Sequence, residues 1–139
     1  MKYMTFEDAK ARLVQQTSEY EEKLNVLYCI IEQLKELFKI AQNNIIKIEH
    51  NEKTTPEIAA IRFCGSHYTI GLESNQPTYK KASILLKKII KEKEYEYGKI
   101  DMDDVGNIIF PGGNKIRLVD KEEFEEMVLN FFFTSIGKR

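Results

Sequence analysis

Residues 58–73 read Ile-Ala-Ala-Ile-Arg-Phe-Cys-Gly-Ser-His-Tyr-Thr-Ile-Gly-Leu-Glu. Two alternating runs flank a short Gly-Ser pair, which is the pattern of a β-hairpin. With Gly65-Ser66 as a two-residue turn, Cys64 sits opposite His67, Phe63 opposite Tyr68, Ile61 opposite Ile70 and Ala59 opposite Leu72. That register gathers Ala59, Ile61, Phe63, Tyr68, Ile70 and Leu72 on one face and leaves Arg62, Cys64, His67 and Thr69 on the other. A slip of one residue would send apolar side chains to both faces, so the pattern supports a sheet with one buried side.

Outward from this hairpin, the period of two extends to Asn44–His50, where Ile46 and Ile48 share a face. A turn cluster, Asn51–Pro56, joins that strand to the hairpin. Before it, residues 5–42 contain no Pro or Gly and form the strongest helical signal. Thr5 with Asp8 resembles a capping box. Phe6, Ala9, Leu13 and Val14 make a first stripe, and Gln15–Ser18 interrupts it. From Tyr20 the apolar residues step by four and three through Leu24, Leu27, Ile31, Leu34, Phe38 and Ala41, with Val26, Ile30, Leu37 and Ile40 on a second side. An unbroken helix would be roughly 57 Å long, against a radius of gyration near 14 Å for a domain of about this size. Two outcomes are open: a bend near Gln16–Ser18, or a projecting helix paired with a partner.

On the other side of the hairpin, Ser74–Thr78 reads as a loop. Ala82, Leu85, Leu86, Ile89 and Ile90 predict a middle helix over 79–93, the alternative being a strand through Ile84-Leu85-Leu86. Tyr95–Met102 reads as a strand that changes phase at Gly98, as at a β-bulge. Asn107–Phe110 and Lys115–Val119 pair around Pro111-Gly112-Gly113-Asn114 as a second hairpin. Asp120 with Glu123 predicts a capped helix start, Val119 with Phe124 a hydrophobic staple, and Gly137 the helix end. The expected fold is α+β: a long N-terminal helix, an antiparallel sheet of about five or six strands built from hairpins, a middle helix and a C-terminal helix packed on the sheet. No repeat or linker divides residues 1–139, so one domain is expected.

The chain has 139 residues, of which 31% are charged and 42% hydrophobic, with 8 Phe and 7 Tyr. Such a composition excludes a disordered or low-complexity chain. No apolar run approaches the roughly 18–20 residues of a membrane span, and no membrane association is expected. The first residues lack a signal-peptide core, so a cytoplasmic protein is expected. Cys29 and Cys64 lie far apart, and both are expected as reduced thiols rather than a disulfide framework. The formal charge is −1, but residues 76–93 hold six Lys and one Glu while residues 94–106 hold one Lys and five acids.

Few residues fall in patterns that carry chemistry. Asp101, Asp103, Asp104 and Gly106 resemble the start of a calcium loop, but Val105 and Gly112 stand where ligands are needed. The Gly112-Gly113 stretch lacks phosphate-loop spacing and precedes a strand. No cofactor or metal is expected. Three readings of function follow. The first is a non-catalytic protein–protein interaction module, of regulatory, inhibitor or chaperone-like kind, that self-associates as a homodimer and engages an unidentified protein partner. Its interface would comprise Leu24, Leu27, Ile31, Leu34, Phe38, Phe132 and Phe133, because helices apolar on two sides need two things to pack on. The second is a nucleic-acid or nucleotide binder using Lys80, Lys81, Lys87, Lys88 and Lys91 in the 79–93 segment. The third is a small enzyme near Arg62, Cys64 and His67, where an imidazole beside a thiol could activate a nucleophile. The element order resembles that of small α+β secretion chaperones, which are dimeric and bind partner segments. That likeness is of order only and covers no motif, and those chaperones are markedly acidic where this chain is not.

Overall fold

The computed structural model describes residues 3–41, 46–74 and 76–137. The fold is α+β. Helix α1 (Phe6–Ala41) is followed by strands β1 (Ile46–Glu49), β2 (Ile58–Phe63), β3 (Ser66–Glu73), β4 (Ala82–Ile90), β5 (Lys93–Met102), β6 (Asn107–Ile109) and β7 (Lys115–Arg117), and then by helix α2 (Lys121–Ile136). The strands form a seven-stranded antiparallel meander in chain order. The expected strand start at Asn44 and Ile45 lies outside the described residues.

Alternation decides which sheet face is buried. Ala59, Ile61, Tyr68, Ile70, Leu72, Ala82, Ile84, Leu86, Ile100, Met102, Ile108 and Ile116 are all buried, one residue in two along each strand. Both helices lie on this face and close one core with it. Phe132 of α2 stands 5.7 Å from Phe38 of α1 and 6.2 Å from Phe63 of β2, measured between ring centres. Phe110, just after β6, meets Phe124 at 6.3 Å. The opposite face carries exposed Lys47, Arg62, His67, Lys99 and Asp101 and has no helix over it.

The middle helix is overturned, because residues 82–90 form strand β4 between β3 and β5. The segment is apolar at both parities, so its sequence satisfies a helical stripe and an alternating strand equally. Tertiary pairing decides: as a strand, β4 gives the backbones of both neighbours a ladder partner, which a helix there could not do. Its turn into β5, Lys91-Glu92, has φ of 50° and 67°. Left-handed pairs of this kind are favoured in two-residue hairpins, but usually as Asn or Gly, so no turn residue announced it.

The central hairpin also shifts. Its turn is Cys64-Gly65, with φ of 50° and 84°, and Arg62 pairs with His67, Ile61 with Tyr68 and Ala59 with Ile70. Each partner thus moves by two positions from the expected register. A two-residue slip preserves side-chain parity, which is why the buried face is the expected one although every pair differs. The bulge at Gly98 is present: Gly98 faces Leu86 and Glu96 faces Lys87, leaving Tyr97 as the extra residue.

At the helix ends, the Thr5 hydroxyl accepts the Asp8 amide at 3.1 Å. Asp120 makes no side-chain cap for α2, and Val119 is 85% exposed, so neither the expected capping box nor the staple forms. Gly137 ends α2 in right-handed geometry rather than the left-handed cap that glycine favours. His50, just after β1, is enclosed. Its side chain is 1% exposed, with Nε2 3.1 Å from the Pro56 carbonyl and its ring against Tyr28.

Candidate functional site

Helix α1 runs unbroken through Gln16–Ser18. Every residue from Tyr3 to Ser18 is exposed. The stretch Phe6–Ser18 therefore projects from the body by roughly 20 Å at 1.5 Å per residue. Phe6, Leu13, Tyr20 and Leu27 recur every seven residues and so share one helix face. At Leu27 that face is completely buried by the sheet, whereas at Phe6 and Leu13 it is 79% and 67% exposed. The apolar stripe thus outruns the surface that covers it. Met4 and Val14 lie exposed beside it.

The root of this arm is fixed. The Tyr20 phenol donates a short hydrogen bond to the Glu57 carboxylate. The Tyr20 and Tyr79 rings meet edge-on at 4.9 Å. Burial, the hydrogen bond and the neighbouring Glu57 charge together hold the phenol well above its ordinary pKa.

A second feature lies where α1 and α2 run side by side. The two helices leave an open groove of about 1350 Å³. Its floor is apolar, with Tyr28 and Leu37 from α1, Leu118, and Phe124 and Leu129 from α2. Gln33 joins the helices by donating from Nε2 to the Glu125 carbonyl. The rim is acidic: Glu32 and Glu36 on one side and Glu122, Glu125 and Glu126 on the other, with Lys39 and Lys121 as the cations. Cys29 lines the groove, and burial, reinforced by Glu32, raises its thiol pKa, which makes it a poor nucleophile at neutral pH.

The residues singled out in the sequence are distributed differently from expectation. Leu27, Ile31, Leu34, Phe38 and Phe132 are buried by the chain's own sheet and helices, and Leu24 is partly covered. They form the core rather than an interface, because one face of a seven-stranded sheet has room for both helices. Phe133 alone of that set stays half-exposed. Sequence reasoning placed the unpartnered surface at 24–38, while the structure leaves it at 3–18. The length estimate for an unbroken helix was the signal that could have located it.

The lysines do not share a face. Lys87 points from the open sheet face and is held by Glu73 at 2.7 Å and Glu94 at 3.4 Å. Lys88 points the other way, its ammonium 5.8 Å and 5.7 Å from the ring centres of Tyr68 and Tyr97. Lys80 lies in the loop before β4, 4.0 Å from Asp104, Lys81 immediately precedes β4, and Lys91 is in the β4–β5 turn. Arg62 and His67 are paired across β2 and β3 on the open face. Cys64 forms the turn itself and so has no cross-strand partner. Asp103, from the calcium-like run, spends its carboxylate on its own loop, accepting from the Val105 amide at 3.0 Å and from the Asn107 amide and side chain at 2.8 and 2.9 Å. Among the described residues no cluster of His, Cys, Asp or Glu is arranged to hold a metal ion, and no helix is long and apolar enough to cross a membrane. Comparison with protein-family models, curated proteins and solved structures finds no match to this chain.

Proposed function

We propose that the protein is a non-catalytic interaction module that self-associates through the projecting arm of α1. The supporting observation is the exposed stripe of Phe6 and Leu13, flanked by Tyr3, Met4 and Val14, on a helix whose continuation is buried. Large exposed apolar residues gathered on one element mark an association surface. Those five side chains present roughly 600 Å² per copy, so two arms packed face to face would bury about 1,200 Å², the lower bound of a standard interface. A two-fold pairing suits the arm, since one stripe serves both subunits.

Sedimentation velocity on the full chain, with Phe6→Asp and Leu13→Asp in parallel, tests the reading. Both positions are exposed, so each variant should keep the wild-type circular dichroism while the dimer dissociates, with its melting temperature matching that of the wild type at dilutions where the wild type is monomeric. A wild type that stays monomeric at the highest attainable concentration, or arm variants that stay dimeric, would refute it.

A further inference from the structure

The arm leaves the α1–α2 groove unassigned, and the groove differs from it in charge. We propose that this groove is a docking site for a cationic amphipathic helix of a partner protein. Three observations carry the inference. First, the shape suits a helix: α1 lines the groove from Asn25 to Ile40, roughly 22 Å or four turns, and two parallel ridges with a furrow between them are what a third helix packs into. Second, the floor offers an apolar seat of Leu37, Leu118, Phe124 and Leu129, which matches anchors spaced at i, i+3, i+4 and i+7 on an incoming helix. Third, the rim sets the sign of the ligand. Five glutamates face two lysines, and Lys39 already pairs with Glu36 at 3.5 Å. Glu122, Glu125 and Glu126 form no ion pair among the described residues. Lys35 pairs with Glu32 at 3.6 Å, so with it counted against the rim the groove carries a local excess of two negative charges in a chain whose total is −1.

The same arithmetic separates this site from self-association. The arm holds Glu7, Asp8, Lys10 and Arg12 between Tyr3 and Ser18 and is neutral. A second copy's arm has no charge to offer the rim, whereas a helix with Lys or Arg flanking a Leu-rich stripe complements both floor and rim. Rim carboxylates in water act mainly on encounter rate and salt dependence, with the apolar floor supplying the hold.

Fluorescence anisotropy with a labelled 14-residue Leu/Lys amphipathic peptide tests the site, with the Leu/Glu peptide of the same pattern as the comparison. The Leu/Lys peptide should bind the full chain, more weakly as salt rises, and the Leu/Glu peptide should not. Glu122→Lys/Glu126→Lys should weaken binding by roughly tenfold or more, with Glu122→Gln/Glu126→Gln intermediate and melting curves confirming that each is folded. Glu49→Lys/Glu96→Lys, which makes the same charge change on the opposite sheet face, should leave binding unchanged, as should Leu13→Asp. Absent binding, equal binding of both peptides, or equal weakening by the two Lys pairs would overturn the proposal. So would a change in solution mass on reversing Glu122 and Glu126, since that would make the groove a contact between copies. A monomeric wild type that still binds the peptide at the groove would remove self-association and leave this site standing.

Discussion

Replacing Gly98 by Ala asks whether α2 is seated on β5 as described. Gly98 lies on the buried face of β5, opposite Leu86 and directly under α2. A Cβ at this position would stand 2.3 Å from the Ser135 hydroxyl oxygen and 2.8 Å from Cε1 and Cζ of Phe131. Two effects oppose each other. The φ of Gly98 is not in the left-handed region, so alanine restricts the unfolded chain without straining the fold, a gain of about 0.4–1 kcal/mol. Against it stands overpacking, which costs about 1–3 kcal/mol. The Ser135 hydroxyl can rotate away, but Phe131 is buried with its ring 6.5 Å from Phe110, so the aromatic ring cannot yield without moving α2. The clash should win, leaving a net loss of about 1–2 kcal/mol. Urea unfolding should show a lower midpoint at unchanged slope. In a cycle with Phe131→Leu the two losses should be less than additive, because the smaller side chain vacates the space that the new methyl needs. A neutral or stabilising Gly98→Ala, or strict additivity with Phe131→Leu, would refute this seating of the helix.

Two further substitutions probe the loops that brace the structure. Burial works against ionisation of Asp103, but hydrogen bonds from the Asn107 side chain and backbone and from the Val105 backbone, with Lys115 nearby, outweigh it and hold its carboxyl below the ordinary range. Its contribution is therefore present above the usual carboxylate pKa of about 4 and is lost as pH falls through the lower folded value. Asp103→Asn should cost about 1–2 kcal/mol at neutral pH, and the difference from wild type should vanish in strong acid when stability is followed against pH. Tyr20→Phe should cost about 1–2 kcal/mol in denaturant unfolding by removing the donor to the partly buried Glu57, and it should speed amide exchange in residues 6–18 if this contact is what holds the root of the arm.

What the sequence shows and what it hides divide along physical lines. The buried face of the central hairpin was legible because parity survives a two-residue slip, even though the turn sits at Cys64-Gly65 rather than Gly65-Ser66. The phase change at Gly98 was legible because only glycine can lie under Phe131 and Ser135 there. Strand β4 was not, since Ile84-Leu85-Leu86 and Ile89-Ile90 are apolar at both parities and its Lys91-Glu92 turn carries no turn residue. The groove was invisible for a different reason: Leu37 and Leu129 lie far apart in the chain, and only the packing of α1 beside α2 brings their glutamate neighbours together. Leu27, Ile31 and Leu34 misled because an apolar seam at heptad spacing is identical whether a sheet or a second chain covers it.

With the seam buried, the arm is the exposed part of the apolar stripe, and its build suits it to the association proposed above. A helix of about a dozen residues is marginal in water on its own, because the first turn must be formed before any hydrogen bond is gained. Residues 6–18 avoid this cost by growing from a helix already nucleated between Leu24 and Phe38, where burial holds it. Tyr20, locked to Glu57 and Tyr79 at the last covered turn, fixes the direction in which the extension leaves the body. Association through such an element loses little further backbone freedom, so more of its apolar area appears as affinity than in a segment that must fold on binding. A partner helix in the α1–α2 groove, as proposed, would gain in the same way from a seat whose walls are held by one continuous core. One rigid layer of two helices on one sheet face thus presents a neutral apolar rod at one end and an acid-rimmed furrow along its back, and the difference in charge between them is what would keep like and unlike partners apart.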